Sequence, residues 1–294
     1  HENPACTVMD CFSYLGITQG RVLIDEYTPY FIFDALKNAN RNHLFLNAQP
    51  LTKACREVKS KNELALIQNA MTRALEVQKR TSRILRAGIT TSEVQDFVSL
   101  AHQKLGFETP PEFNIVLFGE ATAYPHGVSY NQTLKEGDMV LLDMGATVEG
   151  YYSDITRTYI FGTPTRKQCD IWELERIAQD AVFNAAQIGA TCESLDVAAR
   201  NCLEEYGLGP GYKTPGLPHR TGHGLGLAVH EHPYIVKGNK DILSEGMCFS
   251  NEPMICIYEE FGVRLEDHIY MTGEGPEWFT NPAHSIDDPF GECR

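Results

Sequence analysis

No segment of this 294-residue chain reaches the roughly eighteen uninterrupted apolar residues that a membrane-spanning helix needs. No C-x-x-C pair occurs either. The nine cysteines, at positions 6, 11, 55, 169, 192, 202, 248, 256 and 293, are scattered and odd in number, so free thiols in a reducing, cytoplasmic setting are expected rather than a disulfide framework. Basic residues are in short supply. Lys plus Arg number 25 against 39 Asp plus Glu, a net charge of −14 whose field repels phosphate backbones, so nucleic acid is not expected as a partner. No basic targeting stretch opens the chain, which starts at His1 rather than Met and leaves upstream residues an open matter. What is present, 43% hydrophobic and 10% aromatic residues, suffices for a buried core and excludes wholesale disorder.

From residue 60 onward the chain carries clear helix signals. Ser60 with Glu63 has the capping-box form, followed by a helical stripe (Leu64, Ile67, Met71, Ala74, Leu75, Ile84, Leu85) expected to end at Gly88. Thr90 with Glu93 forms a second box, opening a helix through Val94, Phe97, Val98, Ala101 and Leu105 to Gly106. Short β-prone runs follow, among them Phe113 to Phe118 and Met139 to Leu142. The programme then repeats: Gly88, Thr90, Val94 and Gly106 reappear as Gly189, Thr191, Leu195 and Gly207, a constant offset of 101. Leu134 to Gly137, with Asp143 six residues beyond, reappears as Leu243 to Gly246 with Glu252 six residues beyond, an offset of 109. An α+β domain with internal pseudo-twofold duplication is expected over 56–294, with its site where the halves meet. Residues 1–55 stand outside the repeat: a strand from Arg21 to Ile24, a helix from Pro29 to Ala39, then Leu44 to Leu46 and a loop around Pro50. We read them as the C-terminal part of a preceding domain.

Two apolar hairpins carry acids in opposition. If the first turns between residues 148 and 149, Asp143 faces Asp154; if the second turns at Glu259, Glu252 faces Glu266. Like charges held that close destabilise a sheet unless a proton or a cation sits between them. Between the hairpins lies a Gly- and His-rich run, His219 to Pro233, whose glycines allow the backbone to approach a ligand closely. Four carboxylates and one imidazole form a hard, mostly oxygen site suited to a pair of Mn, Co, Fe or Zn ions. A single calcium would not call for the histidine. The chemistry implied is metal-assisted hydrolysis.

The order Asp143, Asp154, His223, Glu252, Glu266, the G-H-G-x-G run at 222–226 and the E-F-G-V-R-L-E-D segment at 260–267 resemble the pita-bread metallopeptidases, the methionine aminopeptidase and prolidase/aminopeptidase P superfamily. His219 four residues before His223, the step from His230 to Glu231, and Arg264 are similar to the Xaa-Pro branch. The resemblance implies a pita-bread (creatinase/aminopeptidase) fold preceded by the remnant of an N-terminal creatinase-like domain. It implies two divalent ions, Mn or Co foremost and Zn or Fe next, with Asp143 on one, Asp154 and Glu266 bridging, and His223 with Glu252 on the other. Glu252 would also handle the proton of the attacking water, His126 would contact substrate, and His219 and His230 would steady substrate and oxyanion. Arg264 would either attract the carboxylate of a short peptide substrate or fix its neighbouring acids. His232, His268 and Asp267 are left as solvated or supporting groups, and Cys248 and Cys256 as core packing. A homodimer is expected. The alternatives are a methionine aminopeptidase, and a creatinase-like hydrolase or lyase on the same scaffold; both of the latter, and a non-enzymatic binding protein, are disfavoured by the intact five-ligand set.

Overall fold

The computed structural model describes residues 3–40 and 42–291, and its chain divides into two compact units that meet between Arg56 and Glu57. The first unit comprises α1 (Pro4–Tyr14), β1 (Gly20–Ile24), α2 (Tyr30–Ala39), β2 (His43–Asn47) and α3 (Gln49–Arg56), with β1 and β2 paired in parallel. The expected loop around Pro50 is instead helical. Proline sits in the first turn of α3, where its missing N–H removes no helical bond.

The second unit follows the expected duplication. Its helices are α4 (Lys61–Ser82), α5 (Thr91–Lys104), α6 (Arg166–Ala185) and α7 (Cys192–Glu205). Its strands are β3 (Phe113–Phe118), β4 (Met139–Gly145), β5 (Thr147–Val148), β6 (Tyr151–Tyr152), β7 (Ile155–Ile160), β8 (Gly222–Gly224), β9 (Glu231–Ile235), β10 (Cys248–Asn251), β11 (Met254–Ile257), β12 (Phe261–Arg264), β13 (Asp267–Thr272) and β14 (Gly275–Trp278). The halves present sheets ordered β3-β4-β7 and β14-β13-β10-β8-β9. The repeat extends to single hydrogen bonds. Thr90 bridges Thr133 and Thr191 bridges Ile242, while Gly88 N–H donates to Leu134 O and Gly189 N–H to Leu243 O.

Both sequence capping boxes form, at Ser60/Glu63 and Thr90/Glu93. α4 stops at Ser82, short of Gly88, because Gly88 N–H is taken by Leu134 and the chain must turn to reach that bridge. β4 is buried along its whole length, which explains its unbroken apolar run. Val140, Leu142 and Met144 join the core with residues of α4 and α5, whereas Met139 and Leu141 join that of α6 and α7. Among the described residues no helix is long and apolar enough to cross a membrane.

Candidate metal centre

The first hairpin turns one residue later than the sequence reading placed it. Glu149 and Gly150 both have positive φ, forming a tight two-residue turn, and Thr147 pairs with Tyr152. Asp143 therefore pairs with Thr156 rather than Asp154. The displacement along the partner strand is two residues, an even number, so Asp154 stays on the same face one step along. The second hairpin has the expected register: Met254 pairs with Arg264 on one side and Asn251 with Asp267 on the other, placing Glu252 and Glu266 opposite each other in the gap.

His223 sits on β8, between β10 and β9. Added Cβ atoms at Gly222 and Gly224 would lie 2.0 Å from Ser250 O and 2.3 Å from His232 O. These glycines serve close strand approach rather than the ligand approach expected of them. His223 Nδ1 lies 3.0 Å from Gly224 O, which assigns the ring proton there and leaves the lone pair on Nε2. That nitrogen faces acids, at 3.2 Å from Glu252, 3.6 Å from Asp154 and 4.0 Å from Glu266.

One cavity of about 590 Å³ is lined by His126, Asp143, Asp154, His219, His223, His230, Glu252, Arg264 and Glu266, so every site residue singled out in the sequence meets there. Its ligand atoms fall into groups within 4.8 Å: Asp143 with Asp154 and Glu266, His223 with Glu252 and Glu266, and Asp154 with His223 and His268. Glu266 belongs to both of the first two. Burial, reinforced by the neighbouring carboxylates, drives Asp154 and Glu266 well above the ordinary carboxylate range. Burial also raises Asp143, against the pull of Arg264, and lifts Glu252 to about 7. Asp143 Oδ1, Asp154 Oδ1 and Glu266 Oε1 are buried without a hydrogen-bond partner. An imidazole lone pair set against crowded carboxylate oxygens is stable only with shared protons or cations among them, and the donor set fits divalent cations.

Arg264 supplies part of the positive charge. It pairs with Asp143, donates from Nε to Thr156 Oγ1 at 3.2 Å and from Nη1 to Pro125 O at 3.1 Å, so it fixes a neighbouring acid as well as lining the cavity. His219 Nδ1 faces Arg220 O at 2.6 Å; burial holds His219 down to about 3 and His230 down to about 4, leaving both neutral near pH 7. The ring of His230 lies 4.1 Å from that of His223.

Several neighbours were not anticipated. Thr156 Oγ1 donates to Glu266 at 2.6 Å and Ser250 Oγ to Glu252 at 3.1 Å; each lies two residues from a cluster acid, on the same strand face, a period-two signal readable in retrospect. Glu112, Phe113, Tyr212, Arg220, Val229 and Val236 also line the wall. His268 and Asp267 are fully buried, not solvated: His268 stands beside Asp154 and His223, and Asp267 pairs with Arg157 at 2.7 Å. Cys248 and Cys256 pack in the core as expected, and Cys293 lies outside the described residues.

A duplicated α+β scaffold that gathers four acids and a histidine in one cavity defines a metal-dependent hydrolase class. The family model for metallopeptidase family M24 matches residues 65–273, and the chain belongs to that family, which implies divalent metal ions. The chain is 34% identical over 263 residues to the Xaa-Pro dipeptidase of Pyrococcus horikoshii, spanning 90% of this chain and 74% of that protein. It is 37% identical over 242 residues to the protein YkvY of Bacillus subtilis, of whose length it spans 65%. Among solved structures it superposes on the prolidase from Pyrococcus furiosus with a TM-score of 0.84 at 32% identity, covering 92% of this chain and 80% of that one. It superposes on the X-Pro aminopeptidase from Thermotoga maritima with a TM-score of 0.88 at 29% identity, covering 96% and 78%. The fold is the pita-bread fold of these prolidases.

Proposed function

We propose that this chain is a peptide hydrolase that cleaves the bond between an N-terminal residue and proline in dipeptides or short peptides, using two divalent ions. The observation that carries the reading is the unprotonated His223 Nε2 turned toward Glu252, Asp154 and Glu266. The relatives named Xaa-Pro dipeptidase, prolidase and X-Pro aminopeptidase supply the substrate class.

Asp143, Asp154 and Glu266 would hold one ion, and His223, Glu252 and Glu266 the other, with Asp154 near enough to His223 to serve both. When bound, two such ions supply Lewis acidity and bring the pKa of coordinated water toward neutrality. Glu252, with a carboxyl near 7 held by Ser250, takes the proton of the attacking water and passes it to the leaving nitrogen. His230, neutral and at the cavity edge, donates to the developing oxyanion. His219, its proton committed to Arg220 O, offers a lone pair to a donor on the substrate. His126 contacts the substrate from the loop after residue 123, and the charge of Arg264 draws a peptide carboxylate into the cavity. Mn or Co as the ions, a homodimeric assembly and a cytoplasmic setting belong to this proposal.

The test is metal analysis coupled to turnover of Xaa-Pro, Met-Xaa and Xaa-Pro-Yaa peptides after Mn or Co loading. Xaa-Pro cleavage with two ions per chain is expected. Full metal occupancy without cleavage of any peptide would sink the peptidase reading, and preference for Met-Xaa would transfer it to the methionine branch.

A further inference from the structure

We propose that two buried glutamines, Gln78 and Gln179, are positioning residues that fix the spacing of the metal-site carboxylates, one glutamine in each half of the duplicated domain. The inference rests on the reading of those carboxylates as ion ligands. Gln78, on α4, donates from Nε2 to Leu142 O at 3.1 Å and to Ile155 O at 2.9 Å. Leu142 immediately precedes Asp143, and Ile155 immediately follows Asp154. Gln179, on α6, donates from Nε2 to Asn251 O and to Leu265 O, both at 3.2 Å. Those residues immediately precede Glu252 and Glu266. The two glutamines are 101 residues apart, the offset that relates Thr90 to Thr191, and Leu142 and Asn251 are 109 apart, the offset that relates Asp143 to Glu252.

Both glutamines are fully buried, in helix faces that are mostly apolar but also bury Thr81 on α4 and Gln168 and Glu175 on α6, and a buried amide is expensive unless bonded. A primary amide nitrogen brings two N–H groups to acceptors on two different segments without burying a charge; an apolar side chain packs there but cannot join them. Three of the four carbonyls lie where strand pairing lets go: Ile155 opens β7, Asn251 closes β10, and Leu265 falls between β12 and β13. At those points the amide ties the strands together beside the carboxylates. In the second half the clamp is reinforced, because Asn251 Nδ2 donates back to Gln179 O at 2.8 Å and Arg176 donates to Gln179 Oε1 at 2.7 Å. Groups that orient metal ligands from behind commonly change metal affinity by about 10–100-fold when removed.

The experiment uses the full chain, stripped of metal, as wild type and as Gln78→Met and Gln179→Met. Thermal melting of the metal-free protein is measured, with Co(II) affinity by calorimetry and the Co(II) visible absorption band. Each variant is expected to weaken Co(II) binding about 10–100-fold and to shift the band, with Gln78→Glu and Gln179→Glu, which keep one donor when protonated, falling between. A lower melting temperature with wild-type Co(II) affinity and an unchanged band would make the glutamines merely structural and overturn the clamp. If a methionine variant does not fold, the glutamate variant at the same position is judged by the same criterion. A wild-type chain that binds no Co(II) would remove the ligand reading itself, and the clamp with it.

Discussion

The two halves of the catalytic unit share a backbone programme, a buried glutamine and a pair of acids each, and differ in the side chains around them. Helix α5 and helix α7 start from equivalent threonines in equivalent isolated bridges, to Thr133 and Ile242, yet Thr90 caps its helix with its side chain and Thr191 does not. The first half contributes Asp143 and Asp154; the second contributes the longer Glu252 and Glu266 and alone supplies His223. His102 is buried in the first half where Leu203 is buried in the second. The halves are then tied by Arg157 on β7, which donates to Asp267 from both terminal nitrogens, at 3.1 and 2.7 Å. The repeated backbone makes the strand ends converge, while the chemistry comes from the side chains that differ between the copies.

The largest expected effect comes from the acids common to several ligand groups. Asp154→Asn and Glu266→Gln should each leave one ion or none per chain and bring turnover to background, read by metal analysis alongside peptide assay. Retention of two tightly held ions in either variant would break the idea that both halves share one centre. Next is the tie between halves. Arg157→Met leaves Asp267 buried without its charge partner, with Thr280 and Gln179 as its remaining donors, and is expected to destabilise by about 3–5 kcal/mol and to lower Tm by roughly 10 °C.

Smaller effects sharpen the contrast between the copies. Thr90→Ala removes a capping bond and should lower stability by about 1 kcal/mol, whereas Thr191→Ala has no such bond to lose and should change it by a few tenths at most. Equal losses in chemical denaturation would erase that distinction. The smallest effect is on pH dependence. Burial pushes the His102 pKa below its ordinary 6.5, with Nδ1 held by Val98 O. The unfolded chain therefore takes up a proton here that the folded chain resists, so this contribution is intact above about pH 6.5 and drains away as pH falls toward the depressed folded value. His102→Leu should flatten the fall in Tm between pH 7 and 5 relative to wild type; an identical slope would show that the ring does not resist protonation.

The sequence by itself determined the starts of α4 and α5, the duplication and the identity of the converging acids, because capping boxes, glycine turns and strand period are local signals that repeat at fixed offsets. It placed the second hairpin's register correctly, since a single turn residue at Glu259 fixes it, but placed the first a step early, since Glu149 and Gly150 rather than Val148 and Glu149 form the left-handed turn. Only tertiary structure decided that Gly222 and Gly224 serve neighbouring strands, that His268 and Asp267 are buried, and that Gln78 and Gln179 reach across to carbonyls dozens of residues away. Those outcomes depend on which backbone atoms lose their ladder partners when two sheets are brought together, and nothing in the spacing of residues along one strand carries that information.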